Sequence, residues 1–400
     1  MKKIFSLLFG ILFLIFSCQE YPKLNEDDPQ EEPPSEEVSS AMEFTASMKI
    51  GWNLGNTLEA HNNLTPGETA WGNPAATQAL MNGVAARGFG AVRIPVTWGT
   101  KIGDAPDYAI DEAWLKRVAT VASYVGATGM KAIINIHHDG ADSSHWLSVK
   151  TADLTGPTKE AMDAKFKAVW RQIAEQFKDS GNYLLFEAFN ELHDGSWGNG
   201  SSAQRSRVNE LNQIFVDTVR AVGGENSNRF LIIPGWVTRA SVTVSSLVLP
   251  TDTVEERLIV TFHFYDPYDF AGSAEQNVWG NKALPGNWAN ENNVRNTFNS
   301  VKAKFVDKGI PVIIGEYGAV NQSEAFAYRK YYMEYVTKHA HDCGFVPFYW
   351  DNAGFGSGSE KFGLLKRSDG SAYDSYAQQI LDVMMKAVNP GYTLESITPP

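Results

Sequence analysis

Tyr183-Leu-Leu-Phe-Glu-Ala-Phe-Asn-Glu191 is the stretch whose reading decides the fold. It reads as a buried strand that runs straight into a carboxylate. Pro311-Val-Ile-Ile-Gly-Glu316 does the same thing later in the chain. Two glutamates at strand C-termini bring two carboxyl groups to one rim of a parallel sheet, where active sites gather in barrels. Such a pair suits glycosidic bond cleavage, in which one carboxyl protonates the leaving group and the other attacks the sugar. The plainer alternative, that each glutamate only caps the helix after it, is weakened by what surrounds both.

Outward from these two stretches, short apolar runs alternate with helical periodicity from about residue 43. The candidate strands are Ile50–Leu54, Ala91–Val96, Lys131–Ile136, Tyr183–Phe189, Phe230–Ile233, Leu258–Phe264, Pro311–Ile314 and Phe345–Trp350. Between them lie amphipathic helices. Lys159–Lys178 carries Met162, Phe166, Val169, Trp170, Ile173 and Phe177 at spacings of three and four, and Ala372–Ala387 carries Tyr376, Ile380, Val383 and Met384. Strands alternating with helices imply parallel crossovers. The fold class is therefore α/β, a single (β/α)8 TIM barrel over residues 43–388, with 389–400 as a tail. A doubly wound open sheet is the alternative, but no Gly-rich dinucleotide turn follows the first strand.

Composition supports a soluble enzyme-sized body. Of 400 residues, 43% are hydrophobic and 20% charged, enough for a sizeable core. A formal net charge of −12 would repel phosphate backbones, so no nucleic-acid partner is expected. The two cysteines, Cys18 and Cys343, make neither a disulfide framework nor a cysteine metal site. A monomer is expected.

Residues 1–18 read as a signal peptide, with Lys2-Lys3 before the apolar run Ile4 to Phe16. Ser17-Cys18 resembles a lipoprotein cleavage box, which would make Cys18 a lipidated N-terminus and give the protein a membrane anchor. Ordinary cleavage with Cys18 incidental is the alternative. Residues 19–42 are acidic and proline-rich and read as an extended linker. Together these predict an exported protein on the outer membrane or cell surface, or else one that is secreted or periplasmic.

The strand ends supply a polar, aromatic set: Asn56 and Glu59 after the first strand, Arg93 in the second, His137-His138-Asp139 after the third and Asn190-Glu191 after the fourth. His263 and Tyr265 follow at the sixth, Glu316 at the seventh and Trp350 at the eighth. Each alone has a bland account as a core histidine, a salt bridge or a packed ring. Their shared rim argues otherwise.

The sequence resembles glycoside hydrolase family 5 of clan A. The resemblance is carried by Gly51-Trp-Asn-Leu-Gly-Asn-Thr-Leu-Glu59, Glu68-Thr-Ala-Trp-Gly-Asn-Pro74, Val92-Arg-Ile-Pro-Val-Thr-Trp98 and Ile136-His-His-Asp139. It continues in Phe189-Asn-Glu191, Phe262-His-Phe-Tyr265, Gly315-Glu-Tyr-Gly318 and Tyr349-Trp-Asp351. The opening stretch and the Trp-Gly-Asn-Pro turn are similar to the broad endo-β-1,4-glucanases and xyloglucanases. Where the family often has Asn-Glu-Pro, Leu192 follows Glu191 here.

The resemblance implies a retaining endo-acting hydrolase of β-1,4-glucan without cofactor or metal. It makes Glu316 the nucleophile, held ionised by Arg93 and Tyr265, and Glu191 the acid/base, oriented by His263 and raised in part by the charge of Glu316. Asn190 would hold the sugar 2-hydroxyl. His137, His138, Asn56 and Glu59 would line the subsite of the cleaved sugar over a Trp350 floor, and Trp71 would extend the cleft. A carboxyl separation of roughly 5–5.5 Å follows for retention. Two rivals stand beside this reading. A metal hydrolase built on His137, His138, Asp139 and His263 suffers because adjacent strand residues face opposite sides. A non-catalytic surface glycan-binding lipoprotein would need the aromatics but not both glutamates.

Overall fold

The computed structural model describes residues 40–400 except Ser143. The expected leader, Cys18 and the linker up to residue 39 lie outside the described residues.

The described chain opens with helix α1, Ala41–Ser47. Ser40 and Glu43 form a reciprocal capping box that satisfies two orphan backbone donors. The folded body therefore starts slightly before the expected residue 43. Ala41, Phe44 and Met48 pack with Ala91, Ile133, Leu185, Ile232, Ile259, Ile313, Val346 and Phe348, which closes the N-terminal mouth of the barrel.

Eight parallel strands form the closed barrel: β1 Gly51–Leu54, β2 Ala91–Ile94, β3 Lys131–Ile134, β4 Leu184–Glu187, β5 Leu231–Arg239, β6 Leu258–Phe264, β7 Val312–Tyr317 and β8 Phe345–Asp351. Each pairs with its sequence neighbours, and β8 closes on β1 through Gly51↔Phe348 and Asn53↔Trp350. Between consecutive strands run α2 Gln78–Ala86, α3 Glu112–Gly126, α4 Gly156–Gln176, α5 Ser202–Val222, α6 Ala240–Ser246, α7 Glu291–Lys304 and α8 Phe326–Asp342, and α9 Ser375–Ala387 follows β8. The apolar stripe expected at Lys159–Lys178 is the inner face of α4: Phe166, Val169, Trp170 and Ile173 are all fully buried. The main core lies between these helices and the outward faces of the strands.

The alternation of side chains along each strand sorts the barrel interior by height. Ala91, Ile133, Leu185 and Ile259 point into the apolar floor. Two residues further on, the inward positions are Arg93, Asn135, Glu187 and Thr261, all fully buried. The floor is hydrocarbon and the layer above it is polar.

All eight expected strands are present, with shifted ends. The fifth runs past Ile233 to Arg239, through an irregularity between Pro234 and Arg239 where Val237 and Thr238 adopt φ of 46 and 49°. Residues after 389 pack back on the body: the Tyr392 hydroxyl donates to Glu334 at 2.5 Å, and Ile397 is buried.

Candidate active site

Glu316 does not reach the lumen by simple alternation. Ile313 belongs to the floor and Ile314 to the outer core, so strict parity would turn Glu316 outward. The register slips there: Phe262 pairs with Ile314 but His263 with Glu316, leaving Gly315 as the extra residue of a bulge. The bulge turns Glu316 inward. Only glycine fits, because a Cβ at 315 would stand 2.6 Å from Thr261 Oγ1 and 2.9 Å from His263 Nε2.

Arg93 is fully buried at the centre of the site. Its Nη1 donates to Glu316 Oε1 at 2.7 Å and to Asn53 Oδ1 at 3.0 Å, and its Nη2 to Asn190 Oδ1 at 2.8 Å. Its Nε donates to Glu187 Oε2, also at 2.7 Å. Burial opposes the guanidinium charge, but Glu187 and Glu316 more than offset it, so the pKa of Arg93 lies above its ordinary value. Breaking such a buried pair by removing one partner costs about 3–5 kcal/mol. The Tyr265 hydroxyl donates to Glu316 Oε2 at 3.1 Å. Burial pushes that phenol well above its usual range, so it stays a donor.

Glu191 lies past the end of β4. The Asn190 N–H bonds to Ile136 O and the Val237 N–H to Leu192 O, which tie the segment to its neighbours on both sides. Leu192, in the place of the family's proline, is buried and anchors the turn by packing. His263 Nδ1 lies 2.5 Å from Glu191 Oε1. Burial holds the imidazole down at about 4, so it is neutral. Thr238 Oγ1 lies 3.4 Å from the same carboxylate oxygen.

Burial raises Glu191 to about 7, against the opposing charges of Arg93 and His193 and the Thr238 hydrogen bond. Desolvation, rather than the expected charge of Glu316, is the main cause. Glu316 is raised too, first by burial and also by Glu191, while His263 and Arg93 oppose. The expected ionising contacts are present, yet they do not hold Glu316 below its ordinary value. What they establish is an order. Glu316 has the 2.7 Å ion pair with Arg93 and Glu191 has none, so a single proton belongs on Glu191.

One oxygen of Glu191, one of Glu316 and a ring nitrogen of His263 all lie within 4.8 Å of one another. The two carboxyl groups thus face one another across a single gap. Two carboxylates and an imidazole at this spacing are also a possible metal set. The Arg93 guanidinium already supplies the cation at Glu316, and a metal ion would sit against it. The His-His-Asp rival comes apart in space: Asp139 is buried, accepting from the backbone N–H groups of Trp98 and Gly99 and from Trp146 Nε1.

His137 is buried with its Nδ1 3.2 Å from the Asn135 amide nitrogen, and it lies parallel to Trp350 at 6.0 Å between ring centroids. Since the amide donates, Nε2 carries the ring proton, 4.0 Å from Glu316 Oε1. Burial first, with the Arg93 charge nearby, keeps His137 neutral. His138 stands edge-on to His137 at 4.5 Å, and burial holds it down at about 3. Trp71 is 41% exposed and 5.6 Å from His138, which continues the rim outward. Trp350 is 9% exposed. Asn56 is half-buried, in the left-handed region at φ 55°.

Glu59 does not line the cleft as expected. It is fully buried, and its carboxylate accepts the backbone N–H groups of Asn56 and Thr57. It braces the loop after β1 rather than facing substrate, and burial raises it to about 7.

Three features escaped the sequence. Glu187 lies inside the deciding stretch, and alternation from inward Leu185 would have found it. Thr238 stands on the part of β5 that apolar patterning missed. Trp197, Trp288 and Phe355 on loops, and Tyr268 at the start of a short helix, are exposed aromatics in segments that follow barrel strands.

Residues 54–356 match the family model "Cellulase (glycosyl hydrolase family 5)". Endoglucanase A of Paenibacillus barcinonensis is 38% identical over 371 residues, covering 87% of this chain and 90% of its own. Among solved structures, a GH5-4 broad specificity endoglucanase from Bacteroides salanitronis superposes with a TM-score of 0.85 at 47% identity, covering 88% of this chain and 97% of its own. A family 5 xyloglucanase from Paenibacillus pabuli superposes with a TM-score of 0.79 at 40% identity, covering 86% and 99%. With the two glutamates on one rim of the barrel, these matches establish that the chain belongs to the cellulase family, glycosyl hydrolase family 5, and is an endoglucanase.

Proposed function

We propose that the protein cleaves internal β-1,4-glucosidic bonds of plant β-glucans, cellulose and mixed-linkage glucan, by double displacement with retention. Glu316 attacks the anomeric carbon while protonated Glu191 gives its proton to the departing oxygen. Glu191, now a carboxylate, then takes a proton from the water that releases the sugar from Glu316. Asn190, with its Oδ1 engaged by Arg93, keeps its amide donor for the 2-hydroxyl of the sugar. His137 offers an Nε2 proton over the Trp350 ring.

The observation that carries this reading is that an oxygen of Glu191, an oxygen of Glu316 and a ring nitrogen of His263 lie within 4.8 Å of one another, with Arg93 paired to Glu316 and not to Glu191. A 2-deoxy-2-fluoro-cellobioside with a dinitrophenolate leaving group tests it. Glu316 should be found carrying the sugar, and the product of normal turnover should keep the β configuration. A label on another residue, or an inverted product, would overturn the mechanism. Glu316→Ala should lose activity yet still bind glucan, and undiminished activity in that variant would remove the nucleophile.

A xyloglucan-specific endo-β-1,4-glucanase is the second reading. It is favoured by the exposed Trp197 after the fourth strand and by the likeness to a xyloglucanase. Product analysis on cellulose, lichenan, glucomannan and xyloglucan separates the two. The same proposal includes export and a lipid anchor on Cys18, resting on Lys2-Lys3, the apolar run and Ser17-Cys18. Metabolic labelling with a fatty acid should mark the protein and fail to mark Cys18→Ala.

A further inference from the structure

Arg93 serves two carboxylates with one charge. Its Nε meets Glu187 and its Nη1 meets Glu316, each at 2.7 Å. Glu316 belongs to the reaction, but Glu187 is fully buried beneath it and has no route to substrate. Glu187 Oε2 also accepts from Asn135 Nδ2 at 2.8 Å, and its Oε1 has no hydrogen-bond partner among the described residues. A carboxylate held this way is costly unless it does something for the arginine.

We propose that Glu187 is a positioning residue that sets the strength of the Glu316 nucleophile, by orienting Arg93 and taking up part of its charge. Without Glu187, Arg93 and Glu316 would form a neutral internal pair, and a fully compensated carboxylate is a poor nucleophile. With it, one cation is divided between two anions, and Glu316 keeps net negative charge in a dry site. The inference rests on the reading of Glu316 as the attacking group.

Glu187 also fixes geometry. It grips the Nε edge of the guanidinium, so the opposite edge faces Glu316 and Asn190 together. Through Asn135 it reaches His137, whose Nδ1 lies 3.2 Å from the same amide nitrogen. The other groups facing Glu316 are His137 at 4.0 Å, His263 at 3.7 Å, the Tyr265 hydroxyl at 3.1 Å and Glu191, with Glu59 acting at longer range. Of these, His263 also feels the charge of Glu187, and His137 shares the Asn135 amide with it.

The test is Glu187→Gln, which keeps the shape and an acceptor for Arg93 but removes the charge. The acid limb of kcat/KM, which reports ionisation of the nucleophile, should move down by about one pH unit. Formation of the glycosyl-enzyme from dinitrophenyl cellobioside should slow about tenfold near pH 6, because a less basic carboxylate attacks more slowly. An acid limb that stays in place overturns the proposal, and so does a rate loss equal at every pH, which a merely structural role would produce. If Glu187→Gln does not fold, Glu187→Asp draws the charge back by one methylene. The acid limb should then move the same way by a smaller amount, and an unmoved limb overturns the proposal again. Trapping with the 2-fluoro sugar keeps the two readings apart. A label on Glu316 with an unmoved limb defeats the role of Glu187 alone, whereas a label elsewhere defeats both.

Discussion

The catalytic asymmetry is set by where one guanidinium points. Partly exposed Glu191 and buried Glu316 are the same side chain, and each is pushed up by desolvation. Arg93 touches only one of them at ion-pair distance. If Glu191 is the acid, as proposed, it must hold its proton to work, and since it is raised to about 7, kcat/KM should fall as the pH rises through about 7. In Glu191→Ala that alkaline limb should disappear. The same variant should lose roughly 10³-fold on polysaccharide, the usual range of a general acid. It should stay within about tenfold of wild type in the first step on dinitrophenyl cellobioside, whose leaving group needs no proton. A variant equally impaired on both substrates would show that Glu191 is not the acid. Leu192 belongs to this scale too: it replaces a stiff proline, and packing together with the bond from the Val237 N–H holds the acid in its place.

Two elements can be broken without touching a carboxylate, one that places these residues and one that only closes the barrel floor. The first is the bulge of β7, where Gly315 is the extra residue that turns Glu316 inward. Gly315→Ala would drive a methyl into Thr261 Oγ1 and His263 Nε2. Because His263 orients Glu191, that variant should lose at least about 100-fold in kcat while remaining folded by circular dichroism, and near-normal activity would refute the packing account. The second is α1, which seals the opposite mouth. Phe44 stacks on Phe230 at 4.0 Å and is 6% exposed. Phe44→Ala should cost about 3 kcal/mol in chemical denaturation, as large-to-small core changes do. Its kcat at 25 °C should be unchanged, because the helix lies at the far end of the barrel from the chemistry. A parallel loss of activity would mean that the floor transmits strain to the site.

Across the whole molecule, the barrel gathers aromatic faces on one end. Trp71, Trp197, Tyr268, Trp288 and Phe355 are exposed on the segments after the first, fourth, sixth and eighth strands. An extended polymer needs such contacts beyond the bond being cut. Trp71→Ala should therefore raise KM about three- to tenfold on polysaccharide with kcat nearly unchanged, the signature of lost uniform binding. Equal KM in both proteins would exclude the ring from the cleft. Much of this architecture was legible beforehand. Eight apolar runs between amphipathic helices determined the barrel, because strands covered on both faces carry a continuous apolar signal. Strand-end position determined Glu191, Glu316, Arg93, His137, His263, Tyr265 and Trp350 as a set, because parallel closure brings all those ends to one rim. What only the tertiary structure decided depends on register and on contacts across the lumen. Linear parity would have turned Glu316 away, and a slip at Gly315 turned it in. Glu59 had the position of a ligand and became the brace of a loop. Glu187, inside the very stretch that revealed the fold, became the second partner of Arg93, since a charge is shared only when closure of the barrel brings a third strand within reach.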